Sequence, residues 1–511
     1  EMQRSLVGSE MCIRDRKYEG GEAKGQSATF QGEKVQGNDQ TIAYKAGGTY
    51  TMKSIFDFVP AMQQSDLYLQ FDAKVGKKTV SVPEVKVGYG VIATSQLLQN
   101  TLASVRPSLA ADAYQRIIAQ KQEANIKFLI NQATLRASEL KSVSVKDLGK
   151  ILKEINDNNE TRALTNIEVS AYASPDGKYS FNEKLAEKRQ NVSSNYLKKE
   201  LKKIKMEADV DTKFTAEDWE GFQELVSKSN LQDKEVILRV LSMYQDPEER
   251  EQQISNMSEV YTDIKHSILP ELRRARLIVN YEIIGRSDAQ ILEQFAADPS
   301  KLSVEEMVYG ANKLVKDDAT RQKWNEAIAK QYPSDYRALN NMAQQAISKG
   351  DMAAAQNYLK QAANVNKNAS EVNTNLALMA LKSGDVAKAE TYLSKGTGSD
   401  TFKEVMGNLN IAKGNYTQAA SDLAGVNTNS AALAQILAKD YTSAKTTLSK
   451  IKNADATTSY LQAVLAARTG DSSALSSSLK NAIQQDGTLA ARAAKDLEFA
   501  KYANVVKNLV K

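Results

Sequence analysis

The sequence is poor in the residues that most chemistry needs. Among 511 residues there is one cysteine, Cys12, and one histidine, His266. A Cys/His zinc site cannot be built from two such residues, so no metal is expected. A Ser-His-Asp or Cys-His centre would have to use His266, which sits in the helical pattern YTDIKHSILPELRR and reads as a structural or surface residue. GxSxG, Walker A and HExxH patterns are absent, as is a paired catalytic carboxylate motif. No apolar run approaches the roughly 18–20 residues that cross a bilayer as a helix. The net charge is only +5 with 25% of residues charged, too small an excess to draw the chain to nucleic acid. These shortages argue against an enzyme, and neither catalytic residues nor a cofactor is expected. The scarcity of cysteine fits an envelope protein that avoids stray disulfides, and it fits a cytosolic one equally.

At this length the chain has room for two to four domains. Residues 1–16 match nothing downstream. SLVGSEMCIRDR resembles a translated sequencing adapter, so this stretch is set apart, and the natural start is expected to lie outside the sequence. Residues 17–91 contain five short alternating runs, ATFQGEKVQ, TIAYKA, TYTMKSIFDFV, LYLQFDAKV and KTVSVPEVKV, separated by Gly-rich turns. They predict a small β-sandwich of structural or adhesive role. Residues 92–125 read as a helical linker, with Leu97, Leu98, Leu102 and Val105 on one face.

The chain is organised around residues 167–197. Ile167, Val169 and Ala171 alternate with Glu168 and Ser170, the pattern of a half-buried strand. Ser-Pro-Asp-Gly at 174–177 supplies turn chemistry. A helix follows, with Leu185, Val192, Tyr196 and Leu197 on one face and Arg189 inside that stripe. A cation near the mouth of a strand-turn-helix unit suggests an anion site. Upstream, VKDLGKILKEI places Leu148, Ile151, Leu152 and Ile155 on one helical face. The strand at 167–172 is expected to pair with 126–131. In the insertion 208–270, TAEDWEGFQELV reads as a helix capped by Thr215.

Tyr172, Gly177, Asn182, Leu185 and Arg189 stand at the spacing of the motif Tyr-Thr-Asp-x-x-Gly, Asn, Leu, Arg, and Tyr196-Leu197 follow in place. With IKFLINQATL upstream, whose Phe128 and Asn131 give Phe-x-x-Asn, and LRRARLIVNYEI downstream, residues 126–285 resemble an OmpA-like peptidoglycan-binding domain. The resemblance implies an α+β fold of βαβαβ type with a helical insertion at 208–270. It also implies that Arg189 meets the carboxylate of a peptidoglycan stem peptide, supported by Asn182 and Asn131. The family Asp that grips the diaminopimelate amine falls on Ser174, and Asp176 stands two residues on.

Beyond Gly285 strand signals stop and a repeat begins. SKGDMAAAQNYL and KSGDVAKAETYL place Gly350 and Gly384 at a spacing of 34 residues. AKGNYTQAASDL, AKDYTSAKTTL and RTGDSSALSSSL continue the theme at Gly414, Lys439 and Gly470. Small residues, Ala355, Ala389, Ala419 and Ala444, lie five positions after four of these turns. Residues 286–511 thus resemble tetratricopeptide repeats, which implies an all-α right-handed solenoid of five or six helix hairpins. Its concave side is expected to hold a protein partner, with Asn340, Asn341, Asn373 and Asn375 as candidate contacts.

The whole is multidomain: β-sandwich, OmpA-like domain, tetratricopeptide-like solenoid. The paired resemblance implies a non-enzymatic scaffold of the bacterial cell envelope, in the periplasm or at the outer membrane, that binds peptidoglycan and an unknown protein partner. Outer-membrane association would come through a preceding segment or the partner. Ser174 favours an alternative, an assembly or secretion adaptor whose peptidoglycan site has decayed.

Overall fold

The computed structural model describes residues 9–34, 37, 40–43, 45–49, 51, 53–75, 78–231 and 233–510. They fall into two compact units. One joins the chain up to Ala111 to Val315–Lys511, and the other is Asp112–Leu314. The boundaries therefore differ from the expected 126 and 285.

In the first unit six strands form one sheet. They are β1 (Ser9–Tyr18), β2 (Gly21–Gly32), β3 (Gln40–Ile42), β4 (Asp66–Val75), β5 (Lys78–Ser81) and β6 (Val85–Tyr89). Their order is β3-β2-β1-β4-β5, with β6 also on β4. The expected sandwich is corrected to a single sheet among the described residues: these strands hydrogen-bond edge to edge rather than dividing into two layers. TYTMKSIFDFV supplies no strand among its described residues. Its place is taken by β1, which overlaps the stretch set apart at 1–16 and lies between β2 and β4, antiparallel to both. Arg16 reaches across to Ser65 Oγ at 2.6 Å and to the Gly90 carbonyl at 3.1 Å.

Residues 92–125 are not one helical linker. Short turns of helix at Thr94–Leu97, Leu98–Thr101 and Leu102–Ser104 bury Leu97, Leu98 and Leu102 in the core of the repeat region, as the shared face predicted. Residues 105–111 then run without regular secondary structure. From Ile117 the chain is already strand, because it pairs along its full length with a partner far downstream, which overrides its local helical pattern.

The repeat region contains five helix pairs: Arg337–Lys349 with Met352–Val365, Ser370–Lys382 with Val386–Leu393, Phe402–Ala412 with Tyr416–Asp422, Asn429–Leu437 with Tyr441–Lys450, and Ala456–Thr469 with Ser472–Gln485. Gly350, Gly384, Gly414 and Gly470 end the first helices with φ of +79° to +84°, the left-handed conformation that glycine adopts without a Cβ penalty. Lys439 takes the same place with φ 66°. Asp351, Asp385, Asp440 and Asp471 follow the turn residue and cap the second helices by accepting a backbone N–H. Ala355, Ala389, Ala419 and Ala444 are fully buried where the two helices meet.

In Asp112–Leu314, β7 (Ile117–Lys127), β8 (Arg162–Tyr172), β9 (Asp211–Thr215) and β10 (Arg274–Ile284) form a sheet of order β7-β10-β8-β9. The expected pairing of 126–131 with 167–172 is corrected. β10 lies between β7 and β8 and is antiparallel to both, so those two run parallel without touching. Helices Val143–Asp157 and Tyr179–Lys203 contribute Leu148, Leu152, Ile155, Leu197 and Leu201 to the core against Val169, Leu277 and Val279. The insertion adds β9, parallel to β8, then helices from Trp219 to Leu272 around their own core of Phe222, Val226, Ile237 and Ile264. Its first helix is capped by Asp218, not Thr215, which ends β9; the Asp218 side chain accepts from Gly221 N at 2.9 Å. Residues 286–314, expected in the solenoid, belong to this unit. Gly285 N donates to the Arg116 carbonyl, and Arg286 pairs with Glu306 at 2.9 Å.

Candidate functional site

The turn after β8 carries the candidate residues. Arg189 lies on the helix Tyr179–Lys203 and is only 1% exposed. Its guanidinium donates to three backbone carbonyls: Nε to Gln132 at 3.0 Å, Nη1 to Tyr172 at 2.9 Å and Nη2 to Leu129 at 3.2 Å. It also lies 5.2 Å from the centre of the Phe128 ring. Arg189 thus ties the loop after β7 to the end of β8. Burial pulls its pKa down to about 10, and the nearby Arg273 adds to this while Asp176 opposes it.

Asn182, also buried, donates to the carbonyls of Ser174 at 3.2 Å and Gly177 at 3.1 Å, holding the Ser-Pro-Asp-Gly turn closed. The Ser174 hydroxyl donates to Asp176. Arg273, just before β10, donates from Nε to Ser174 Oγ at 3.2 Å and pairs through Nη2 with Asp176 at 2.9 Å. Four of the five candidates, Ser174, Asp176, Asn182 and Arg189, therefore gather around one turn. The fifth, Asn131, is exposed with φ 54° in the loop whose Leu129 and Gln132 carbonyls Arg189 holds. Its place there is conformational, since Asn tolerates the left-handed region better than most side chains.

Sequence reasoning missed three contributors. Arg273 was visible only as half of the Arg-Arg pair introducing the last strand. Glu251 and Tyr261 come from the insertion. Burial, then Glu217, Asp176 and Glu248, push the Glu251 carboxyl up, and the Gly177 backbone opposes them. The Tyr261 hydroxyl is raised by burial and by Asp176 and Glu251. The helical insertion thus brings a carboxylate toward the turn where Arg273 already pairs with Asp176. Among the described residues no group of three metal-ligating side chains gathers. His266 is exposed on the insertion.

The repeat region holds a second set. Asn341 and Asn375 lie nine residues before Gly350 and Gly384 (350 − 341 = 384 − 375 = 9), so they are repeat-equivalent. Each carboxamide grips one residue of the segment 105–111 by both backbone groups. Ser108 N donates to Asn375 Oδ1 at 2.7 Å and Asn375 Nδ2 donates to Ser108 O at 2.8 Å. Ala110 N donates to Asn341 Oδ1 at 2.8 Å and Asn341 Nδ2 to Ala110 O at 3.0 Å. Asn340 adds a bond to Ser108 O at 3.1 Å. Three of the four asparagines expected to hold a partner therefore hold the chain's own strap. Asn373 instead donates to the carbonyls of Lys367 and Ala369 at its own helix start.

No family model matches the chain, and no curated protein does. Among solved structures, a tetratricopeptide repeat protein from Parabacteroides merdae ATCC 43184 is similar over 44% of this chain and 89% of its own, at 12% identity and a TM-score of 0.28. The APC/C hetero-tetramer Cut9-Hcn1 is similar over 72% of this chain and 82% of its own, at 11% identity and a TM-score of 0.29.

Proposed function

We propose that this chain is a non-enzymatic assembly or secretion adaptor of the bacterial cell envelope, with a protein partner on its helical repeats. The envelope location rests on the motif resemblance at Tyr172–Arg189. The observation that carries the adaptor reading is the engagement of the anion-site residues within the chain. Arg189 is buried on three carbonyls, and Asp176 is paired with Arg273. A ligand carboxylate would have to compete with those bonds and with Glu251.

A second reading, peptidoglycan binding through the same turn, is favoured by the gathering of Ser174, Asp176 and Arg273 in one hydrogen-bonded cluster there. Sedimentation of the full chain with purified sacculi separates the two. The adaptor reading expects the chain to stay in the supernatant. Co-sedimentation that is lost in Arg273→Gln, with the variant still folded, would establish the second reading instead. The partner itself is sought by cross-linking from exposed positions of the repeats.

A further inference from the structure

The segment 105–111 is held in the way a bound peptide is held. Its Ser108 and Ala110 are two residues apart, the spacing at which an extended chain presents its backbone to the same side. They are met by repeat-equivalent asparagines, so one repeat of the protein reads two residues of strap. Recognition is through the backbone N–H and C=O, and it carries no demand on side-chain identity beyond size. Ser108 and Ala110 are fully buried, Val105 and Pro107 nearly so, whereas Arg106 is exposed. The flanks are held by polar contacts: Ser108 Oγ donates to Asp400 at 2.7 Å, Arg106 pairs with Asp400 at 3.0 Å, and Lys382 Nζ donates to the Leu102 carbonyl at 2.6 Å. On the same helix as Asn341, the carboxamide of Gln345 is buried with neither end bonded.

We propose that the first-helix face of the repeats is a backbone-reading peptide site that the chain keeps closed with its own residues 105–111, and that a protein partner enters by presenting an extended, small-residue segment in exchange for the strap. This rests on the adaptor reading and deepens it by naming the partner's chemistry and the cis contact that regulates access. A tethered competitor acts at an effective concentration on the order of 1 mM. For a peptide of intrinsic Kd about 100 μM, that weakens apparent binding about tenfold (1 + 1 mM/100 μM ≈ 11).

The test uses the full chain and a fluorescent peptide of sequence SVRPSLAAD, which is residues 104–112. Ser108→Pro with Ala110→Pro removes the two strap N–H donors while leaving the asparagines untouched. The released variant should bind the peptide at least about tenfold more tightly than the wild type. Adding Asn341→Ala and Asn375→Ala should abolish that gain. Equal binding by wild type and released variant, or a gain that survives loss of both asparagines, overturns the proposal. Should the proline variant fail to fold, the wild type is read by hydrogen exchange. Millimolar unlabelled peptide should speed exchange at Ser108 and Ala110 and leave the strand amides unchanged; unaltered exchange at both positions overturns it. If these tests fail while cross-linking still traps a protein on the repeats, strap exchange is wrong and the adaptor reading stands. If no protein is trapped either, both fall.

Discussion

Replacing Arg189 by lysine keeps the charge and removes the geometry. The guanidinium reaches three carbonyls on two chain segments from three separate nitrogens, and it lies beside Phe128. A single ammonium on a thinner stem cannot span Gln132, Tyr172 and Leu129 together, so about two charge-assisted bonds are lost at roughly 1.5–3 kcal/mol each. The site is buried, so the freed carbonyls find no water. Arg189→Lys should therefore cost about 3–6 kcal/mol in the Asp112–Leu314 unit. The sequence has two tryptophans, and Trp324 lies in the other unit, so Trp324→Phe leaves Trp219 as a local reporter. With a urea slope of about 2–3 kcal/mol/M, the Trp219 transition should move down by about 1–3 M. A shift under about 0.3 M would refute the assignment of Arg189 as the tie between the β7 loop and β8.

Lys439→Gly should stabilise the repeats by about 1 kcal/mol, because the lysine sits where its four counterparts are glycines of positive φ; thermal unfolding followed by circular dichroism checks this. Asn375→Ala should free the strap, speeding proteolysis near Arg106, whereas Asn373→Ala, which touches only its own helix start, should not. Glu251 is a carboxyl raised in the folded state, so folding takes up a proton: its contribution is present at low pH and is lost as pH climbs from 4.5 through its folded value. Glu251→Gln should flatten the pH dependence of the Trp219 transition over that span, and an unchanged profile would contradict the burial of this carboxyl. A fragment of residues 112–314 should fold cooperatively by circular dichroism, while 17–285 should not give two folded parts, since residues 92–111 would lose the repeats that bury Leu97, Leu98 and Leu102.

What the sequence made legible is what local chemistry dictates. The Gly-Asp turns were readable because a left-handed residue followed by a helix cap needs those side chains, and even the degenerate Lys439-Asp440 kept the geometry. The turn at 174–177 and the apolar stripe of its helix were readable for the same reason. Strand order was not: β10 joins β7 and β8 through pairings more than 100 residues apart, and nothing in 117–127 alone marks its partner. The insertion's carboxylate at Gly177 was equally hidden, because its arrival depends on how five helices fold back. Asn340, Asn341 and Asn375 share a face and Asn373 does not, and the sequence could not say that residues 105–111 would already lie on that face.

Hydrogen exchange at Ser108 and Ala110 in the unmodified full chain tests the central claim most directly, that the strap is clasped by the repeats. Both amides donate to buried carboxamides at 2.7 and 2.8 Å, so exchange should be slowed by orders of magnitude, to a rate near that of the first-helix amides around Asn341 and Asn375. Exchange at the rate of a free extended peptide, with the repeat helices still protected, would contradict it.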